Sequence, residues 1–249
     1  MILENCRRNK RNLSSAWIDY KRAFNSIPHS QIIKCLKMFK INPTVVNFRT
    51  ASMKKWKTTL HLNHNNGTMK SRQININNGI FQRDSLSPLL FCLALAPLST
   101  LLNSTKHGYE INQNKINHLF YMDDPKAYAM NDEQLKKLLD IVKIFSDDIK
   151  MEFGLDKCAK PTFIKGKLTK TSNIVLNQDT AIMELDQEGT FKHLGINEGD
   201  GRQHSKMKEK IRKEYYRKIR MVLKSELNAI NEIEAINAVA IPVVTYSLI

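Results

Sequence analysis

The chain has 249 residues, 42% of them hydrophobic and 25% charged, which is enough apolar material for one large domain or two small ones with a buried core. Its 39 Lys and Arg against 24 Asp and Glu leave a formal net charge of +15, a balance that favours a polyanionic partner such as nucleic acid. Cys6, Cys35, Cys92 and Cys158 stand far apart with no His at ligand spacing, and the longest apolar stretch, Pro88 to Leu102, is interrupted by Pro97 and Ser99, so composition speaks against a zinc site, a disulfide framework and a membrane span.

Ala16 to Tyr20 is a short apolar and aromatic run containing the carboxylate Asp19, and Pro28 then opens a helical pattern with Ile32, Ile33, Leu36 and Phe39 on one face. Thr58 to Leu62 and Arg72 to Ile76 flank the turn signal Asn66-Gly67, which predicts a β-hairpin. Leu89, Leu90, Leu93, Leu98, Leu101 and Leu102 predict a largely buried helix. A second hairpin pattern follows, His118 to Met122 and Lys126 to Met130, with Asp123 and Asp124 at its tip.

Asn131 suits an N-cap, and Leu135, Leu138, Leu139, Val142, Phe145 and Ile149 form an apolar stripe that predicts a helix stopping at Gly154. Short strands are predicted at Pro161 to Ile164, Ile174 to Leu176 and Phe191 to Ile196, after which Gly195, Gly199 and Gly201 mark a boundary. The order of elements is α+β, with a first domain over 1–200 and a helical, basic piece over 201–249. Between Arg202 and Lys224 ten Lys or Arg face only Glu209 and Glu214. Tyr215 and Tyr216 interleave with these cations, a mixture able to neutralise phosphates and pack on sugars or bases.

An Asp-Asp pair at a hairpin tip, taken alone, suits a solvated turn. Here Tyr121 and Met122 place aromatic and soft apolar groups beside the pair, and Asp19 sits on another core-type strand. Three carboxylates on strand ends can hold hard divalent cations, which prefer oxygen ligands and stabilise the oxygens of a phosphoryl transfer.

Ala16 to Asn25, Gly79 to Pro88 and Phe120 to Asp124 resemble motifs A, B and C of the reverse transcriptases, in the order and spacing of the non-LTR retrotransposons. Gly154 to Lys160 and Phe191 to Ile196 resemble motifs D and E, so the likeness covers nearly the whole chain. The resemblance implies a right-hand polymerase palm over 1–200, a partial helical thumb over 201–249, and fingers largely absent. It also implies an RNA-directed DNA polymerase that takes an RNA template, a DNA primer and deoxynucleoside triphosphates. Asp19 and Asp123 would bind two Mg²⁺, with Mn²⁺ as a substitute, while Asp124 helps to hold the site and the Tyr20 carbonyl completes a metal shell. Phe24 would exclude a ribose 2′-OH, Gln82 and Arg83 would lie at the incoming nucleotide, and Lys157 would protonate the leaving pyrophosphate. Lys206, Lys210, Arg212, Lys213, Tyr216, Arg217 and Arg220 would grip primer-template. An intracellular protein, in nucleus or cytoplasm, is expected.

Three positions depart from the family pattern. Arg83 stands where the family usually has Gly, Asn25 where it has Asp, and Pro125 where an ordinary apolar residue follows the two carboxylates. Pro125 removes a ladder donor and constrains Asp124, which threatens the hairpin tip. The rival expectation is a degenerate palm and thumb that binds nucleic acid without catalysis.

Overall fold

A computed structural model describes residues 1–64, 67–177, 180–185, 191–193, 196–198 and 203–248. They fall into two compact units, Met1–Glu184 and Leu185–Ile249. In the first unit, helix α1 (Ile2–Arg8) leads into strand β1 (Leu13–Trp17), followed by α2 (Ala23–Ser26), α3 (His29–Met38) and α4 (Pro43–Lys54). Asn42 caps α4 by accepting the Thr44 N–H at 2.9 Å, and Pro43 takes the first helical position, where its missing N–H costs nothing.

Strands β2 (Lys57–Thr58), β3 (His61–His64), β4 (Gly67–Lys70) and β5 (Ile74–Asn75) form a long hairpin arm in which β2 pairs with β5 and β3 with β4. The hairpin predicted from Asn66-Gly67 therefore exists, with Gly67 as the first residue of the returning strand; Asn66 lies outside the described residues. Helix α5 (Ser87–Asn103) buries Leu90, Phe91, Ala94, Leu95, Leu98 and Leu102. Leu89 and Leu101, expected in the core, stand on its outer face at about half exposure.

After α5 come β6 (Tyr109–Ile111), β7 (Asn114–Ile116), β8 (His118–Tyr121) and β9 (Asp124–Ala129), then α6 (Asp132–Asp148). Asn131 caps α6 as expected, accepting the Gln134 N–H at 2.9 Å. The helix does not run to Gly154. Lys150 enters the left-handed region at φ 55, its N–H reaches the Asp147 carbonyl, and the Met151 N–H reaches the Ser146 carbonyl at 2.8 Å. This is a Schellman ending with Lys in the place usually held by Gly.

The unit closes with β10 (Thr162–Ile164), β11 (Lys167–Leu168), β12 (Ile174–Asn177) and β13 (Thr180–Ile182). The central sheet is antiparallel, in the order β11-β10-β1-β9-β8. All five residues of β1 are buried because both faces of the sheet are covered. Ala16, Ala127 and Ala129 join the main core with α5 and α6, while Leu13, Tyr128 and Phe163 pack with Cys6 and Tyr109 on the opposite face. Behind the sheet, fully buried Lys160 donates to Asp132 at 2.7 Å and to Thr171 at 2.8 Å. Ser14 and Thr162 also donate to Asp132.

The second unit holds β14 (Phe191–His193) paired with β15 (Ile196–Glu198), then α7 (Gln203–Leu223), α8 (Ala229–Ala235), a π-helical turn Ile236–Ala240 and α9 (Ile241–Leu248). Gly195, Gly199 and Gly201 lie outside the described residues. Among the described residues no helix is long and apolar enough to cross a membrane.

Candidate active site

Asp19 follows β1 by two residues and is fixed by the segment after α6. The Gly154 N–H donates to the Asp19 carbonyl at 2.8 Å, the Lys21 N–H to the Glu152 carbonyl at 2.9 Å, and the Asp19 N–H points at Cys158 Sγ at 3.4 Å. Tyr20 and Phe153 thus oppose each other in a bridge built from their neighbours' amides, so the Tyr20 carbonyl takes no part in it. The Tyr20 ring is buried, its hydroxyl is 2.9 Å from Ser146 Oγ, and burial pushes its pKa up to about 12.

Gly154 was expected to stop a helix; its role is spatial. A Cβ built on it would stand 2.6 Å from Asp19 Oδ2, inside contact distance. Its φ of −82 is open to any residue, so what a side chain there would disturb is the Asp19 carboxylate and not the backbone.

Asp123 and Asp124 arrive on the β8–β9 hairpin. Tyr121 pairs with Asp124, leaving Met122 and Asp123 as a two-residue turn in which only Met122, at φ 53, is left-handed. That sign pattern is the one a type II′ turn uses to match strand twist. Pro125 does not disturb the tip. It pairs with Phe120, and its carbonyl accepts the Ile18 N–H at 3.0 Å, so its ring nitrogen faces the end of β1. The donor it lacks belongs to the rung after Trp17↔Lys126, which is where the β1–β9 ladder ends.

Electrostatics tie these groups together. Burial raises the Asp19 carboxyl above its ordinary range, Lys157 opposes the shift, and Asp123 and Asp156 add to it. Burial likewise raises Asp124, with Asp123 and Asp19 adding and Lys157 opposing. Lys157 Nζ lies 3.8 Å from Asp19 Oδ2. Among the described residues no three His, Cys, Asp or Glu side chains converge into a ready-made metal cage. The donor chemistry nevertheless fits hard divalent ions, since three carboxylates lie at one end of the sheet, with Asp123 acting on Asp19 and Asp124, and Gly154 carries no side chain against Asp19.

The 77–86 loop is laced to the turn after Asp19. The Gly79 N–H donates to the Ile27 carbonyl at 2.7 Å and the Ile80 N–H to Phe24 at 2.8 Å, while a Cβ on Gly79, at φ 86, would meet the Asn25 carbonyl at 2.8 Å. Phe24 is half-buried and stacks on Phe91, with ring centroids 4.8 Å apart. Gln82 and Arg83 form an exposed turn, and Arg83 sits at φ 71, in the region where glycine is at ease. Asn25 is exposed.

Sequence reasoning missed the support beneath this loop. Arg49 of α4 reaches Asp84 at 3.9 Å and lies 5.2 Å from the Trp56 ring centroid; Trp56 also meets Phe81 and His29. His29 Nε2 donates to the Gly79 carbonyl at 2.8 Å, and burial lowers its pKa. These contacts join residues far apart in sequence and carry no motif.

In the second unit, Lys213, Tyr216, Arg217, Arg220 and Met221 of α7 and Lys224 just past its end line a cavity of about 390 Å³. Arg212 lies over the Tyr216 ring at 5.7 Å. Arg217 grips Glu214 with two hydrogen bonds, at 2.8 and 2.6 Å, and Lys213 pairs with Glu209 at 2.8 Å. Lys210 is exposed on the same helix, and the side chain of Lys206 lies outside the described residues.

Residues 2–197 match a family model described as reverse transcriptase (RNA-dependent DNA polymerase). The chain is 28% identical over 193 residues to a Pol polyprotein of the type-1 retrotransposable element R2 of Popillia japonica, covering 76% of this chain and 27% of that one. It is 27% identical over 203 residues to the R2 polyprotein of Nasonia vitripennis, covering 78% and 19%. The chain thus spans about a quarter or less of the length of these two curated relatives. Among solved structures, apo telomerase from Candida tropicalis superposes with a TM-score of 0.53 at 12% identity, over 99% of this chain and 44% of that one, a likeness of fold.

Proposed function

The chain belongs to the reverse transcriptase family, of the non-LTR retrotransposon kind, and we propose that it serves as the palm and partial thumb of an RNA-directed DNA polymerase. In this reading it extends a DNA primer on an RNA template with deoxynucleoside triphosphates. The observation that carries the reading is the placement of Asp19, Asp123 and Asp124 at one end of the central sheet, where Asp123 acts on the ionisation of both Asp19 and Asp124.

Reverse transcriptases generally use divalent metal ions. Asp19, Asp123 and Asp124, with the Tyr20 carbonyl, would hold two Mg²⁺, or Mn²⁺ in their place. Such ions, when bound, activate the attacking hydroxyl and neutralise charge developing on the phosphates. Phe24, stacked on Phe91, would exclude a ribose 2′-OH, and exposed Gln82 would meet the nucleotide and template. Lys157, with Nζ 3.8 Å from Asp19 Oδ2, would protonate the leaving pyrophosphate. Lys206, Lys210, Arg212, Lys213, Tyr216, Arg217 and Arg220 would neutralise primer-template phosphates.

Primer extension on poly(rA)-oligo(dT) with Mg²⁺ or Mn²⁺ tests the reading, comparing the chain with Asp123→Asn and Arg83→Gly. Extension that disappears in Asp123→Asn supports it. No extension by either the original chain or Arg83→Gly, with template binding retained, would leave a nucleic-acid-binding relic and sink the polymerase reading.

A further inference from the structure

At the end of the central sheet opposite the carboxylates lies a cavity of about 650 Å³ lined by Lys10, Arg11, Asn12, Glu110, Met130, Asn131 and Lys165. Asn12 precedes β1 and Asp19 follows it, so at ~3.3 Å per residue the two ends are separated by roughly 20 Å. Nothing in the polymerase reading uses this end.

Four separate segments build the cavity, 10–12, Glu110, 130–131 and Lys165, and specific contacts hold them. The β10–β11 turn has both central residues left-handed, Lys165 at φ 50 and Gly166 at φ 78, as a type I′ turn requires. Gly166 is needed there for a second reason: a Cβ would stand 2.9 Å from the Arg7 Cα, because the turn abuts the end of α1. Its N–H donates to the Arg11 carbonyl at 2.9 Å, and the Arg11 guanidinium donates to the Glu110 carbonyl at 2.9 Å.

The lining is rich in donors. Asn12 Oδ1 accepts the Lys165 N–H and Asn131 Oδ1 accepts the Gln134 N–H, each at 2.9 Å. With each amide oxygen already accepting from the backbone, the NH₂ groups remain as donors. Lys10 and Lys165 are exposed and make no ion pair among the described residues. Three cations thus stand against the single acid Glu110, and exposed Arg8 and Lys167, each two residues along the chain from a lining lysine, add to the positive charge.

Such a lining fits an anion with many acceptor oxygens, and its extension beyond one cavity fits a chain of phosphates. We propose that this end of the sheet is a second nucleic-acid site, which holds the phosphate backbone of an RNA or DNA strand away from the carboxylates. The assignment of nucleic acid over another polyanion rests on the polymerase reading; the site itself does not.

Fluorescence anisotropy of labelled 30-nucleotide RNA and DNA strands, titrated with the full chain across a salt series, tests the proposal. Lys10→Gln/Lys165→Gln should lower the slope of log Kd against log salt by about 1.4, at ~0.7 per phosphate contact for single strands. The charge-matched pair Lys136→Gln/Lys150→Gln, exposed on α6 and its end, should leave the slope unchanged. Loss with RNA alone assigns the site to an RNA strand, and loss with both assigns it to any strand. An unchanged slope, an equal fall in both double variants, or displacement by polyglutamate as readily as by RNA of equal charge would overturn the proposal. Primer extension on a short template is read separately. A chain that fails to extend but shows the slope loss loses its polymerase reading and keeps this site.

Discussion

Replacing Gly154 with Ala separates the position's effect on folding from its effect on the carboxylates. The new Cβ would meet Asp19 Oδ2 at 2.6 Å, while backbone neighbours are not among its close contacts. At φ −82 alanine meets no conformational strain, and loss of glycine's freedom in the unfolded chain should stabilise by about 0.4–1 kcal/mol. Against this stands the rotation of Asp19 away from its preferred rotamer, which costs about 0.5–1.5 kcal/mol. The two nearly cancel, so urea denaturation should show a change below about 1 kcal/mol. Displacement of a catalytic carboxylate by ~1 Å, by contrast, costs on the order of 100-fold in turnover. We therefore expect Gly154→Ala to fold normally, to bind primer-template normally and to extend it about 100-fold more slowly. Turnover at the original rate, or a stability loss above 3 kcal/mol, would refute the argument that Gly154 exists to make room for Asp19.

Lys160→Met should destabilise the chain by about 3 kcal/mol, the low end for breaking a buried pair, because Asp132 is 31% exposed and keeps Ser14 and Thr162; a denaturant midpoint that does not move would contradict this. Asp132 is held below the usual carboxylate range by its donors, so its contribution is present above the unfolded-state pKa and fades as pH falls through the folded one. Asp132→Asn should accordingly flatten the acid limb of a stability-pH curve. Asp124 has the opposite sign: raised by burial and by Asp123 and Asp19, it favours folding at low pH and loses that advantage as pH rises through its folded pKa. Asp124→Asn should then raise neutral-pH stability slightly in thermal melts, and a lower melting temperature would count against the placement of these carboxylates. Arg83→Gly relieves a left-handed backbone worth about 1–2 kcal/mol against a glycine entropy cost of about 0.5–1 kcal/mol, so calorimetry should record a net gain or no change, never a loss above 1 kcal/mol.

The sheet and its carboxylates were legible because local signals agree with the tertiary result. Alternation around Asp123 and Asp124 marks the hairpin, and Asn131 with its apolar stripe marks the start and inner face of α6. The end of α6 was not legible: glycine is the usual helix terminator, but Lys150 accepts the left-handed position here, and Gly154 answers to Asp19 instead, 135 positions earlier in the chain. Pro125 shows a subtler limit. A missing ladder donor is certain from sequence, yet which neighbour loses it depends on strand parity, and parity turned the defect toward the end of β1. Arg49, Trp56 and His29 were invisible because their meaning lies in the loop they support.

The bridge between Tyr20 and Phe153 also dictates where this chain tolerates insertions and deletions. Between the helix end at Ile149 and Gly154 there are four residues, and successive side chains along the bridged segment point to opposite sides. One residue gained or lost there would exchange the places of Phe153 and its glycine neighbour, driving an aromatic ring toward the carboxylate while leaving its own buried berth empty. Length variation among relatives should therefore be absent from this connector and gather in places such as the β3–β4 arm, whose described strand residues are exposed.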